Sequence, residues 1–242
     1  MTTELIVALD VDTLAKEKEL LARLKDTVTF YKVGLELFTA HGKRAVDLVH
    51  QAGARVFLDL KLHDIPRTVS AAVREAQKLG VEAVSLHLLG GADMIRAAAE
   101  VSPRPKIWGV GVLTSMADKD VKAISPKASL AGLLKSLAKT GWECGADALI
   151  CSVQDVEALR RALKYLDLRF VTPGIRPASA DPGDQKRVAT PETAARLGID
   201  AVVVGRPVVA AADPLRAAQG ILGAMKRAAE HEVPKGPRLR LS

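Results

Sequence analysis

Short apolar runs alternate with longer amphipathic segments along nearly the whole chain. The runs LIVAL (5–9), TFYKV (29–33), RVFLDL (55–60), AVSLHL (83–88), IWGVGVL (107–113), DALIC (147–151), LRFVT (168–172) and AVVVG (201–205) each have the length of one strand. Their almost unbroken apolar character suits strands buried on both faces. Helical patterns fill the intervals 13–25, 36–51, 66–79, 91–100, 127–140, 153–164, 191–197 and 213–229. Asp12-Thr13 and Thr190-Pro191 read as helix starts, and Gly53, Gly80, Gly145 and Gly198 fall where helices should hand over to strands. Strict β-then-α alternation implies a parallel sheet with right-handed crossovers. Eight such units in 242 residues favour a closed (β/α)8 TIM barrel over an open doubly wound sheet. The chain is thus expected to be a single domain over 1–242, with the barrel at about 4–228 and a tail at 230–242.

No linker or low-complexity block divides the chain. Its one long connection, PGIRPASADPGDQKRVAT (173–190), follows the seventh strand, where barrels often build phosphate sites and lids. Aromatic residues are only 3% of the sequence, so the core must be aliphatic, and the stacking platforms of a single-strand nucleic-acid binder are missing. The net charge of +7 fits general solubility or a site for an anionic substrate. No Lys/Arg run marks a nucleic-acid surface. Cys144 and Cys151 have neither metal-ligand nor disulfide spacing, which fits a reducing compartment. No apolar run approaches a membrane span, and the first strand begins almost at once without a leader pattern. The expectation is a soluble cytoplasmic protein.

Catalytic residues of a barrel belong at the C-terminal ends of its strands. Here those ends carry Asp10, Lys32, Asp59 with Lys61 and Asp64, His87, Thr114 with Ser115, Arg176, and Gly205 with Arg206. In FLDLKLHDIPRT (57–68), Asp59 and Lys61 lie two apart and so project from one face of a strand. Asp64 follows as the chain leaves the strand, and Pro66 suits a first helical turn. Two carboxylates about 4 Å apart repel by roughly 4 kcal/mol at an effective dielectric of 20. A lysine between them offsets that repulsion and is kept protonated. Such a lysine is a poor Schiff-base nucleophile and a ready proton donor. The same triplet would also serve as a buried ion-pair network joining strand to loop. A buried Lys32 needs a carboxylate, for which Asp59 is placed. Asp10 could hold sugar hydroxyls or cap the helix starting at 13. In VVVGRPV (202–208), Gly205 permits close backbone approach and Arg206 offers a forked donor, making with Arg176 and Gln185 a phosphate grip. His87 reads as a satisfied rim histidine, and Trp108 and Trp142 as core residues. His41, His50, His63 and His231 form no metal-ligand group.

At IVALDV, YKVGLELF, LDLKLHDIPRT, GVLTSM, TPGIRP, GDQKR and VVVGRPV the sequence resembles the bacterial orotidine 5′-monophosphate decarboxylases, from about residue 4 to 228. The DxKxxD pattern is shared with related sugar-phosphate enzymes, whereas the ordered set is specific. The resemblance implies conversion of orotidine 5′-monophosphate to uridine 5′-monophosphate in pyrimidine biosynthesis, without metal or organic cofactor. It implies Lys61 as the acid that protonates the product carbon, within a network of Lys32, Asp59, Lys61 and Asp64. Asp64, Ile65 and Thr68 would reach into the neighbouring subunit's site in a homodimer. Asp10 and Lys32 would hold ribose, Thr114 or Ser115 the pyrimidine, and Gln185, Gly205 and Arg206 the phosphate, with Arg176 steadying the closed loop. Leu88, Leu89 and Arg67 depart from the family's usual residues without removing a catalytic group. Two other readings are a magnesium-dependent sugar-phosphate decarboxylase or synthase on the same scaffold and a non-catalytic nucleotide-phosphate sensor.

Overall fold

The computed structural model describes residues 2–177 and 187–230. Eight parallel strands close into a barrel in sequence order: β1 (Glu4–Ala8), β2 (Phe30–Gly34), β3 (Arg55–Leu62), β4 (Ala83–His87), β5 (Lys106–Val110), β6 (Ala148–Ile150), β7 (Phe170–Thr172) and β8 (Ala201–Val204). The helices are α1 (Leu14–Leu24), α2 (Leu35–His41), α3 (Lys43–Gln51), α4 (Pro66–Lys78), α5 (Gly91–Ala99), α6 (Asp118–Ile124), α7 (Leu130–Glu143), α8 (Val153–Ala162), α9 (Pro191–Arg196), α10 (Arg206–Val209) and α11 (Pro214–Glu230). A single 3-10 turn, Leu88–Gly90, links β4 to α5.

Each predicted strand is present, because a fully buried parallel strand must be apolar on both faces. One face meets the helices. The other fills the barrel with Ile6, Ala8, Phe30, Phe57, Ala83, Trp108, Val110, Ala148, Ile150, Val171, Ala201 and Val203. Although aromatics are scarce, three of them share this interior: Trp108 lies 4.4 Å from Phe57 and 6.0 Å from Phe30 between ring centroids. Arg55 stacks over Phe30 and pairs with Glu4 at the N-terminal end. Burying a side chain of Phe size contributes about 1.5–3 kcal/mol, so this plug makes the barrel a packed core rather than a pore.

Local signals act as their chemistry requires. Thr13 and Thr190 cap α1 and α9 through their hydroxyls, so Asp10 is not a helix cap. Gly53, Gly80, Gly145 and Gly198 all have positive φ at helix-to-strand handovers. The helix expected over 36–51 is two helices, broken at Gly42 with φ 56°. The strand expected over 107–113 stops at Val110, and α6 and α10 are additional short helices. Trp142 is an exposed residue of α7 instead of a core one. Leu88 is buried against the space left by Gly109 and Gly141, whereas Leu89 and Arg67 face outward.

Candidate active site

Two residues beyond the apolar plug, the inward positions of successive strands become polar. Asp10 follows Ala8, Lys32 follows Phe30, Asp59 follows Phe57 and Ser85 follows Ala83. This period-2 placement brings the four into one network at the barrel mouth. Lys61 Nζ donates to Asp59 Oδ2 at 2.8 Å, and Lys32 Nζ lies 3.7 Å from the same oxygen. Lys32 Nζ also donates to Asp10 Oδ1 at 3.0 Å. Asp59 and Lys32 are buried, while half of the Asp10 side chain is exposed. The Asp59–Lys61 juxtaposition and the carboxylate partner of Lys32 are thus both present.

Ser85 is a member that no sequence motif announces. Fully buried, it donates from Oγ to Asp59 Oδ1 at 2.7 Å and accepts the Lys61 backbone N–H at 2.8 Å. Two glycines make room for Asp10 and its partner. A Cβ on Gly34 would fall 2.6 Å from Lys32 Nζ, and one on Gly205 would fall 3.1 Å from Asp10 Oδ2. Burial alone would push the Asp59 carboxyl up. The charges of Lys32 and Lys61, with hydrogen bonds from Lys61 and Ser85, outweigh burial and hold it below the ordinary carboxylate value. Asp59 is accordingly an anion at neutral pH.

Asp64 is outside this cluster, which corrects the picture of two carboxylates flanking Lys61 within one chain. It lies past the strand on an exposed segment with Ile65 and Thr68, and its Oδ1 accepts the Ile65 N–H at 2.6 Å. Among the described residues it forms no ion pair. His87 also departs from expectation: its Nδ1 is buried without a hydrogen-bond partner, and its ring lies 5.4 Å from that of His63. Burial, followed by the nearby His63 and Lys61, keeps its pKa below the ordinary histidine value, so it is neutral at pH 7.

Thr114 is half-buried and Ser115 exposed in the turn after β5. Gly205 precedes α10, and Arg206 is exposed as that helix's first residue. Arg176 is buried and donates to the Ile175 carbonyl at 2.9 Å. Gln185 lies outside the described residues. The two feet of the 173–190 connection are tied down by backbone pairing of Ile175 with Ala189 and by the Arg187–Asp155 ion pair at 2.7 Å. Neither Arg187 nor Asp155 was distinguished by spacing. Among the described residues, no three His, Cys, Asp or Glu side chains are grouped as metal ligands.

An anion and two ammonium groups fixed above an apolar plug form a site able to hold a charged substrate and deliver a proton. Close relatives carry one activity in their names. The protein named Orotidine 5'-phosphate decarboxylase from Saccharophagus degradans is 43% identical over 229 residues, 93% of this chain and 96% of that one. Its namesake from Laribacter hongkongensis is 45% identical over 214 residues, 87% and 88% of the two chains. The crystal structure of Orotidine 5'-phosphate decarboxylase from Lactobacillus acidophilus superposes with a TM-score of 0.80 at 36% identity, covering 92% of this chain and 99% of that one. Residues 3–221 match the family described as Orotidine 5'-phosphate decarboxylase / HUMPS. By sequence and by fold, the chain belongs to that family.

Proposed function

We propose that the protein decarboxylates orotidine 5′-monophosphate to uridine 5′-monophosphate in pyrimidine biosynthesis. The observation that carries this reading is the Lys61 ammonium held 2.8 Å from a buried Asp59 carboxylate at the barrel mouth. The bond from pyrimidine carbon six to the carboxylate breaks, carbon dioxide leaves, and the electron pair stays on carbon six. Lys61 stabilises that developing charge and then transfers a proton to the carbon, regaining one from solvent afterwards. Asp59 fixes the ammonium and sets negative charge beside the substrate carboxylate, a repulsion relieved as carbon dioxide departs. On the way from ground state to transition state the stabilisation by Lys61 grows while the repulsion from Asp59 falls, and each change lowers the barrier. The electron pair is captured by a proton, so the reaction balances without a redox or metal partner.

Asp10 and Lys32 hold ribose, and Thr114 or Ser115 faces the pyrimidine. Gly205, Arg206 and Gln185 bind phosphate, while Arg176 steadies the loop that covers it. Remote phosphate binding then assists chemistry at the ring. Asp64, Ile65 and Thr68 serve the neighbouring site of a homodimer. In support, Leu35, Ile65, Leu89 and Leu113 are exposed apolar side chains just beyond the ends of β2 to β5, four neighbouring strands. An arc of that kind beside a barrel mouth fits a subunit interface. Pyrimidine biosynthesis of this kind places the protein in the cytoplasm, and among the described residues no helix is long and apolar enough to cross a membrane.

The test is loss of orotidine monophosphate absorbance, followed with and without exhaustive chelation. Turnover should be equal in both. Activity lost to chelator and restored by magnesium would favour the sugar-phosphate reading, and no turnover in either would favour a nucleotide sensor.

A further inference from the structure

The register between β3 and β4 breaks just where the site is built. Leu58 pairs with Val84 and Leu62 with Leu86, so four residue steps on β3 oppose two on β4. The bulge leaves Lys61 at φ 50°, a left-handed conformation that a side chain with a Cβ rarely adopts. Within a bulge the regular ladder is interrupted, and its N–H groups need other acceptors. Here the acceptor of the Lys61 N–H is the Ser85 hydroxyl, at 2.8 Å. The proton of that hydroxyl is directed at Asp59 Oδ1, at 2.7 Å, while the other oxygen of Asp59 receives Lys61 Nζ at 2.8 Å. A hydroxyl can make both bonds together, since it carries one donor and two acceptor sites. Ser85, Asp59 and Lys61 therefore close a ring: hydroxyl to carboxylate, carboxylate to ammonium, and the backbone of that same lysine back to the hydroxyl.

We infer that Ser85 is a positioning residue of the decarboxylation, fixing the Asp59 carboxylate and the Lys61 backbone together so that the ammonium meets carbon six. The inference rests on the roles proposed above for that pair. Ser85 is fully buried behind Asp59 and Lys61 and acts through them. Its fully buried place on β4, against Trp108 of β5 in register, gives it a stiff support on the sheet. Without the hydroxyl, the carboxylate loses one hydrogen bond and the strained lysine loses the acceptor for its N–H. Small displacements of a reacting group are costly, reaching about 100-fold for 1 Å.

The test compares wild type with Ser85→Ala and Ser85→Thr, reading steady-state kinetics, circular dichroism and the Asp59 carboxyl titration by carbon-13 NMR. Ser85→Ala should stay folded and lose about 10- to 100-fold in kcat with KM within about threefold. Its Asp59 titration should move to higher pH, because a hydrogen bond favouring the anion is gone. Ser85→Thr, which keeps the hydroxyl, should recover most of kcat. Should alanine disturb the fold, the same readings on Ser85→Cys, with its weak donor, decide. A kcat within twofold of wild type, or a fall in kcat with the Asp59 titration unmoved, overturns the inference. The NMR titration needs no turnover, so a failure of the decarboxylase reading appears separately, as a wild type that is inactive while Asp59 still responds to Ser85.

Discussion

At the scale of single residues, the proposed chemistry centres on Lys61, whose side chain and backbone are held by different partners in one ring. The ammonium is bonded to Asp59, and the left-handed backbone is held by Ser85. Alanine at this position retains a Cβ and faces the same backbone conformation, so Lys61→Ala isolates removal of the ammonium. Turnover should fall by about 1,000-fold or more, the upper part of what a positioned acid contributes, with an unchanged circular dichroism spectrum. Retention of more than a few per cent of wild-type turnover would sink the proton-donor role. Asp59 and Lys61 were legible in the sequence because residues two apart on a strand share a face, a relation that survives the bulge. Ser85 was not, since a lone serine within AVSLHL looks like any small strand residue. Its partners are fixed only by an irregular register that no periodicity encodes.

Strands and the longer helices follow from patterning, and the exceptions have identifiable causes. The apolar stripe of 36–51 runs through both α2 and α3, so only the backbone of Gly42 reveals the break. In α6 a single residue, Val121, is buried, which leaves no amphipathic stripe to read, and α10 has four residues. Patterning also misses a charge in the wrong place. Glu17 of α1 is wholly buried, and neither carboxylate oxygen has a hydrogen-bond partner. Burial raises its pKa to about 7. An acid whose folded pKa exceeds its unfolded one costs nothing below the unfolded value of 4.5. The cost accrues as pH rises through the interval between the two and is complete above about 7. Glu17→Gln should therefore stabilise the protein by about 1–3 kcal/mol at pH 8, with the gain shrinking towards pH 4 in parallel denaturation curves. A pH-independent difference would contradict this account. At the β8–α10 turn, Arg206→Ala should raise KM and lower kcat/KM for the nucleotide by about 10- to 100-fold, as loss of a charge-assisted bond to phosphate would. A substrate lacking phosphate should be nearly indifferent, and equal losses for both substrates would refute the assignment.

For the molecule as a whole, the question is whether one barrel holds a complete site. The buried network ends at Lys61, and Asp64 stands on an exposed segment beside Ile65 and Pro66, next to the apolar arc at the ends of β2 to β5. Pro66 begins α4 and helps turn the chain away from its own mouth. A charged side chain exposed beside an apolar arc is suited to reach a second copy, and a two-fold axis would make the exchange reciprocal. Consider Lys61→Ala and Asp64→Asn chains unfolded and refolded together. In a mixed dimer with Asp64 acting in trans, one site carries both lesions and the other carries neither. Random pairing makes half of the dimers mixed, so about a quarter of all sites are intact. If Asp64 serves its own barrel, every site keeps one lesion, and the mixture only averages its two parents. Recovery towards a quarter of wild-type turnover, rising with the fraction of mixed dimers as the ratio of the two chains is varied, is the expected result. Simple averaging at every ratio would reject the shared site and return Asp64 to a role within one chain.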